Sequence, residues 1–198
     1  MNIQKMTEKN LVRITGVVEY NPKFQYKEYN EKFYETTITV SRNNGEIEDH
    51  VPILLSKEKM RFVKKDDKVY LRGELHKYKK NNEKGVAIAK IGVFVFEVII
   101  LNDIMNPLNE VILEGTLIEK PFYKEKNNKK FTTLILDIPR EHEYSDYISV
   151  YAIGEKAEKL KHLQTMQRIK IFGRIQSREL RKRGMIFYEV FVKKFREV

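Results

Sequence analysis

Cysteine is absent from the 198 residues. Disulfides, thiolate metal sites and cysteine nucleophiles are therefore excluded, as suits a reducing cytoplasm. Tryptophan is absent too. Residues Met1 to Lys9 hold no apolar run and do not read as a signal peptide. The longest apolar stretch, Val93 to Leu101, is interrupted by Glu97 and is too short to span a bilayer, so it reads as a buried strand. The four histidines, His50, His76, His142 and His162, are scattered without metal-ligand spacing, and no phosphate-cradling glycine loop or nucleophile elbow occurs. The expectation is a protein that is not an enzyme, with no catalytic residues, no metal and no cofactor. Acidic residues are in deficit, 28 against 38 Lys and Arg, for a net charge of +10 and a pI near 9.5. The excess is spread over both halves, +4 in residues 1–105 and +6 in the rest. Such a balance favours a polyanionic partner, either nucleic acid or an anionic membrane surface.

What is present is said twice. Asn10 to Gly16, followed by Pro22, recurs as Asn109 to Gly115, followed by Pro121. Phe33 to Val40 is echoed by Phe131 to Ile138, Asp49 to Leu54 by Asp146 to Tyr151, and Val69 to Leu75 by Ile169 to Ile175. The offsets are 99, 98, 97 and 100 residues, far too long for a solenoid repeat and suited to a duplicated small domain. The expected domains are 1–104 and 105–198, joined by the short Pro107-bearing linker from Leu101 to Leu108.

Apolar alternation predicts strands near 10–19, 33–41, 49–55, 68–78 and 86–100, and again near 109–119, 130–138, 146–153, 168–178 and 185–194. Asn43-Asn44-Gly45 predicts a tight hairpin. Residues 120–130, 79–84 and 178–184, rich in Lys, read as loops. Between strands three and four the period becomes helical: Ala157, Leu160 and Leu163 fall three apart and Met166 continues the row. Ser56 to Lys65 fills the same slot in the first repeat, with Ser56 as N-cap and Met60 and Val63 facing inward. An all-β chain of two tandem five-stranded barrels follows, each with one short helix between strands three and four. That is the oligonucleotide/oligosaccharide-binding (OB) barrel, with Gly16, Gly73, Gly115 and Gly173 where strands must bend. Pro52 implies that strand three of the first repeat is an edge or bulged there.

Alternation also assigns the outward faces. Ile148, Val150 and Ala152 point inward, which leaves Tyr147 and Tyr151 outside on one face. By the same rule Phe131, Lys170, Phe172, Arg174, Gln176 and Arg178 face outward in the second repeat, and Phe33, His50, Arg72, His76 and Tyr78 in the first. Faces that mix flat rings with cations suit single-stranded nucleic acid, because rings stack on any base and Lys and Arg follow the phosphates. Asp49 and Asp146 recur before strand three; a turn cap or a pairing with a nearby Lys is the favoured reading over a carboxylate role in a nuclease.

At these blocks the chain resembles the bacterial single-stranded DNA-binding protein family. The residues that carry it are Asn109 to Gly115 with Pro121, Asp146 to Tyr151 with Gly154 to Glu158, Arg168 to Arg178, and Tyr188 to Val192. The resemblance implies sequence-tolerant binding of single-stranded DNA in replication, recombination or repair, in the cytoplasm at the nucleoid. RNA stays open as a partner and no membrane is expected; the tandem barrels could work as a monomer, or pair as a homodimer presenting four. The acidic C-terminal tail typical of the family has no counterpart, since the chain ends at Lys193 to Val198 on the last strand. Tail-dependent recruitment of partners is therefore not expected, and the short form resembles the primosomal replication-restart relatives. A dimerising protein-interaction module with weak nucleic-acid binding is the alternative.

Overall fold

The computed structural model describes residues 9–28, 30–42, 45–81, 87–140, 144–180 and 185–198. His142, Val86 and the Asn43-Asn44 part of the expected hairpin lie outside them; Gly45 adopts φ +69°. The first half forms β1 (Asn10–Val18), β2 (Lys23–Glu28), β3 (Glu31–Ser41), β4 (Glu48–Ser56), α1 (Lys57–Met60), β5 (Lys68–Asn81) and β6 (Ala87–Leu101). The second forms β7 (Asn109–Leu117), β8 (Phe122–Lys126), β9 (Lys129–Pro139), β10 (Ser145–Ile153), α2 (Glu155–Leu160), β11 (Arg168–Leu180) and β12 (Met185–Glu197). No helix among the described residues is long and apolar enough to cross a membrane.

Each half closes a five-stranded barrel, as the alternation predicts. β1 pairs with β3 on one side and β5 on the other, β3 with β4, β5 with β6, and a two-residue parallel ladder between β4 and β6 completes the ring. Pro52 falls just before that ladder, which begins at Ile53, so its missing N–H interrupts nothing there. Closure demands sharp bends, made at β-bulges between Arg72 and Gly73 and between Phe172 and Gly173. A Cβ on Gly73 would lie 2.1 Å from the carbonyl oxygen of Phe94, and one on Gly173 2.4 Å from that of Phe191. Only glycine permits the crossing.

Four details differ from the sequence expectation. Residues 120–130 are not a loop throughout: β8 pairs along β9, and β2 along β3 in the first half. The Lys- and Glu-rich ends of both strands, Lys27-Glu28 and Lys124 to Lys126, carry no apolar alternation and are exposed. The expected loops at 79–84 and 178–184 begin as strand, since β5 reaches Asn81 and β11 reaches Leu180; residues 82–84 and 181–184 lie outside the described residues. The helices are shorter than their slots. Ser56 caps α1, its hydroxyl accepting from the Lys59 amide at 3.4 Å, and Met60 and Val63 pack on the core as expected. Met166 leaves the helical row for φ +68° and is exposed; its N–H donates to the Leu117 carbonyl at 2.8 Å and so returns the chain to the barrel.

The barrels join edge to edge. β1 pairs antiparallel with β7 from Asn10 opposite Leu113 to Ile14 opposite Asn109, so that all twelve strands belong to one sheet. The linker is pinned to β1: the Thr15 amide donates to the Leu108 carbonyl at 2.9 Å, and the Leu108 amide to the Thr15 hydroxyl at 2.8 Å. Asp49 and Asp146, 0% and 3% exposed, lie in the seam. Asp49 accepts from Arg42 Nε and Nη2 at 2.8 and 2.6 Å in its own barrel, then from Arg174 Nη1 and the Ser177 amide of the other, both at 2.9 Å. Asp146 accepts from Arg140 in its own barrel, then from His76 Nδ1 at 2.7 Å and the Lys77 amide at 3.0 Å in the other. The reading of these aspartates as turn caps or lysine partners is corrected: they clamp the two barrels reciprocally.

His76 presents its second nitrogen to Glu74 at 3.0 Å, and an imidazole facing two carboxylates donates to both only when protonated. Burial works against that charge, but the hydrogen bonds to Asp146 and Glu74 outweigh it and hold the His76 pKa above its ordinary value. Burial likewise opposes the Asp146 charge, and His76, Arg140 and the Lys77 amide overcome it to hold that pKa below the ordinary value. The His76 contribution is therefore complete below about pH 6.5 and is lost as pH rises through the raised folded value. That of Asp146 is complete above about pH 3.9 and is lost as pH falls through the lowered folded value. Stability in urea should fall away on both sides of this window. His76→Gln should abolish the part of the alkaline decline that begins near neutrality; an unchanged decline would contradict this assignment.

Candidate nucleic-acid interface

The strand register of the second barrel lines up one side chain from each of four strands. Thr133 of β9 stands opposite Tyr151 of β10, Tyr151 beside Phe191 of β12, and Phe191 opposite Arg174 of β11. All four point away from the core, because Leu134, Val150, Val190, Val192 and Ile175 take the inward positions. Phe131, two residues before Thr133, adds a ring on the same face. Its centroid is 6.1 Å from that of Tyr151 with the planes 20° apart, and Tyr151 lies 6.4 Å from Phe191 at 48°. The Arg174 guanidinium carbon stands 4.8 Å from the Phe191 centroid, within cation–π range.

Phe131, Tyr151, Phe191 and Arg174 line a groove of about 910 Å³. Lys129 and Lys130 of β9 form one wall, Ile153, Gly154 and Glu158 another, and Arg42, from the first barrel, closes the third side beside Arg174 and Gln176. Two guanidinia, Arg42 and Arg174, share the single carboxylate of Asp49. These three groups together carry one net positive charge at the groove. Burial first and the neighbouring Arg42 second lower the Arg174 pKa against the support of Asp49, yet an arginine retains its proton at any physiological pH. Burial, with Glu189 behind it, raises the Tyr151 phenol, so that it remains a neutral ring. At the rim Lys130 and Lys161 both hold Glu158 and pull its carboxyl down to about 2. A second cavity of about 450 Å³ continues past Arg42 and Arg174 to Lys193 and the linker residues Pro107 and Leu108.

The residues singled out by alternation separate into three groups. Phe131, Tyr151 and Arg174 meet in the row. Tyr147, 49% exposed, is on the same face of β10 two pleats away, about 13 Å along the strand. Arg178 is exposed, 3.7 Å from Glu189, and Phe172 is half-buried opposite Lys194. His50 is exposed and held by Glu19 at 2.6 Å. Arg72 is half-buried between Arg13 and Glu97, its Nε without a hydrogen-bond partner among the described residues. Phe33 is half-buried, packed against Tyr26 and Phe94.

Four outward assignments are overturned. Lys170 is only 5% exposed, with its ammonium 3.6 Å from Glu114. Gln176 is buried and donates to Glu189 at 2.8 Å. His76 is buried in the seam against Asp146, and Tyr78 is 6% exposed and donates to Glu35 at 3.0 Å. Each lies on the outer side of its strand but is covered there: Lys170 and Gln176 by their cross-strand partners Glu114 and Glu189, His76 by the second barrel, and Tyr78 by the first barrel's own rings. Phe191 was missed, although its place between inward Val190 and Val192 marks it as outward by the same alternation. Arg42 lies beyond a strand end, and nothing in the sequence connects it with the opposite barrel.

No protein-family model matches the chain, and no curated protein matches it in sequence. Solved structures do match its fold. The wild-type single-stranded DNA-binding protein from Thermus aquaticus aligns with a TM-score of 0.74 at 17% identity, over 96% of this chain and 92% of that one. A deletion mutant of the same protein gives 0.76 at 16% identity, over 96% and 94%. The N-terminal domain of PriB from Thermoanaerobacter tencongensis, a dimeric structure, is 28% identical over 46% of this chain and 96% of that one, with a TM-score of 0.39. The Thermus alignments take in both barrels at once. The fold is the tandem OB barrel of that single-stranded DNA-binding protein, and the resemblance read from the repeated blocks holds at the level of fold.

Asp49 and Gln176 anchor the Arg174 guanidinium that lies over Phe191. Asp49→Asn would leave Arg42 and Arg174 facing each other in the seam without their counter-charge. Breaking a buried pair from one side costs about 3–5 kcal/mol, and a loss of that size is expected in urea unfolding of the full chain. A loss no larger than that of an exposed ion pair, about 1 kcal/mol or less, would show that the clamp is not holding the barrels.

Proposed function

We propose that this protein binds single-stranded DNA without sequence preference, in replication, recombination or repair, and that it is not an enzyme. The observation that carries the proposal is the row Thr133–Tyr151–Phe191–Arg174 with Phe131 beside it: three rings and a guanidinium on one open face, walled by lysines. Bases stack on such rings at about 1–3 kcal/mol each regardless of sequence, and the cations of the wall follow the phosphate backbone. A duplex cannot use the rings, because its bases already face one another in the stack. The fold of the Thermus single-stranded DNA-binding protein supports the same reading. Residues 1–104 and 105–198 are its two domains, the compartment is the bacterial cytoplasm at the nucleoid, and a homodimer would present four barrels. No 2′-hydroxyl reader is identifiable in the row, so RNA is compared directly in the test.

Titration with oligo(dT), oligo(U) and duplex DNA should show binding to single strands above duplex. Affinity should fall log-linearly with salt, with a slope of roughly −0.7 per phosphate neutralised. A preference for duplex, or salt-independent affinity, would overturn the proposal. Tyr151→Ala should weaken oligo(dT) binding roughly ten- to a hundredfold, the loss of one platform. His50→Ala, which removes a smaller ring that does not line the groove, should cost less. Lys170→Met should leave affinity unchanged, because its ammonium is buried on Glu114; a loss as large as that of Tyr151→Ala would place the strand elsewhere.

A further inference from the structure

The first barrel holds four residues at the positions of that row, and their chemistry is different. Glu35 of β3 stands opposite Leu54 of β4, Leu54 beside Phe94 of β6, and Phe94 opposite Glu74 of β5. Glu74 therefore replaces Arg174, Glu35 replaces Thr133, and Leu54, 1% exposed, replaces Tyr151. Two rings are retained, Phe94 at the place of Phe191 and Phe33 at that of Phe131, and the barrel's own side chains surround Phe94: His76 at 5.0 Å, Phe33 at 5.7 Å and Tyr78 at 6.4 Å between centroids. Gly92 admits Tyr78, for a Cβ there would lie 2.9 Å from both Leu54 Cδ1 and Tyr78 Cε1. The second barrel has Glu189 at that position, opposite Gln176 as Gly92 is opposite His76. The Tyr78 hydroxyl donates to buried Glu35 at 3.0 Å, and Glu35 also holds Lys80 at 2.5 Å. Burial, then Glu35, push the Tyr78 phenol far up, so the donor keeps its proton.

We propose that the strand-binding face of the first barrel is self-occupied. Tyr78 and His76, standing where the second barrel has Arg178 and Gln176, fill the space in which bases would stack on Phe94, the acid Glu74 takes the place of the cation Arg174, and each chain holds a strand on the second barrel alone. The inference rests on the second-barrel row being the strand site. Duplication has produced one binding barrel and one closed barrel whose outer face is packed as a second small core.

Ultraviolet cross-linking of oligo(dT) to the full wild-type chain, followed by peptide mapping, tests this without any substitution. Adducts are expected on Phe131, Tyr151 or Phe191 and on none of Phe33, Tyr78 or Phe94. Adducts on the first-barrel rings, alone or together with the second, would overturn the self-occupied face while leaving strand binding intact. A bound oligonucleotide with no ring adduct in either barrel would overturn the row as the strand site and this inference with it. A paired measurement gives the magnitude: Phe191→Leu should weaken oligo(dT) binding roughly tenfold or more, and Phe94→Leu should leave it unchanged. An equal fall in both variants, with circular dichroism unaltered, would also overturn the inference.

Discussion

Two buried carboxylates organise this molecule. Asp49 and Asp146 occupy equivalent places, and each is held by an arginine of its own barrel while accepting a backbone N–H from the other. A carboxylate removed from water is tolerable only when its acceptor sites are filled by well-placed donors. Here half of the donors belong to the opposite barrel. Separating the barrels would cost the Ser177 and Lys77 amides and both aspartates these mutual hydrogen bonds. The β1–β7 ladder sets the direction of the join, and the aspartates set its register.

The groove inherits its form from that join. Arg174 lies over Phe191 because Asp49, from the other barrel, draws its guanidinium to the seam. Arg42 reaches the groove for the same reason. A face that a single OB barrel would present with its own side chains is here completed by its neighbour. The positive charge at its edge is the remainder of two arginines sharing one acid, a local surplus that the overall charge of +10 does not locate.

The two barrels show how little has to change for one scaffold to present opposite surfaces. Backbone register, bulge and crossing glycine are common to both. Where one has Tyr, Arg and Glu189, the other has Leu, Glu and Gly92. The missing side chain at Gly92 is decisive, because it lets the Tyr78 ring settle onto Leu54 and Phe94 and bury Glu35 beneath its hydroxyl. An acid buried there needs Lys80 and Lys90 as partners, so two of the first barrel's cations are spent on its own interior.

Period-two alternation made the barrels legible, since inward Ile148, Val150 and Ala152 cannot exchange faces with Tyr147 and Tyr151 without exposing a whole row of the core. The repeat, the bending glycines and the helix slot after Ser56 were legible for equally local reasons. Phe191 was readable by the same rule. What alternation cannot report is whether the outer side of a strand meets water or another layer. Lys170, Gln176, His76 and Tyr78 are outward in the sense of the pleat and buried in fact: Glu189 covers Gln176 from the next strand, while Glu114, Asp146 and Glu35 approach the others from strands distant in sequence. Side-chain direction is a property of the local backbone and is written in the chain. Burial of the outer face depends on long-range packing, and only the tertiary structure decides it.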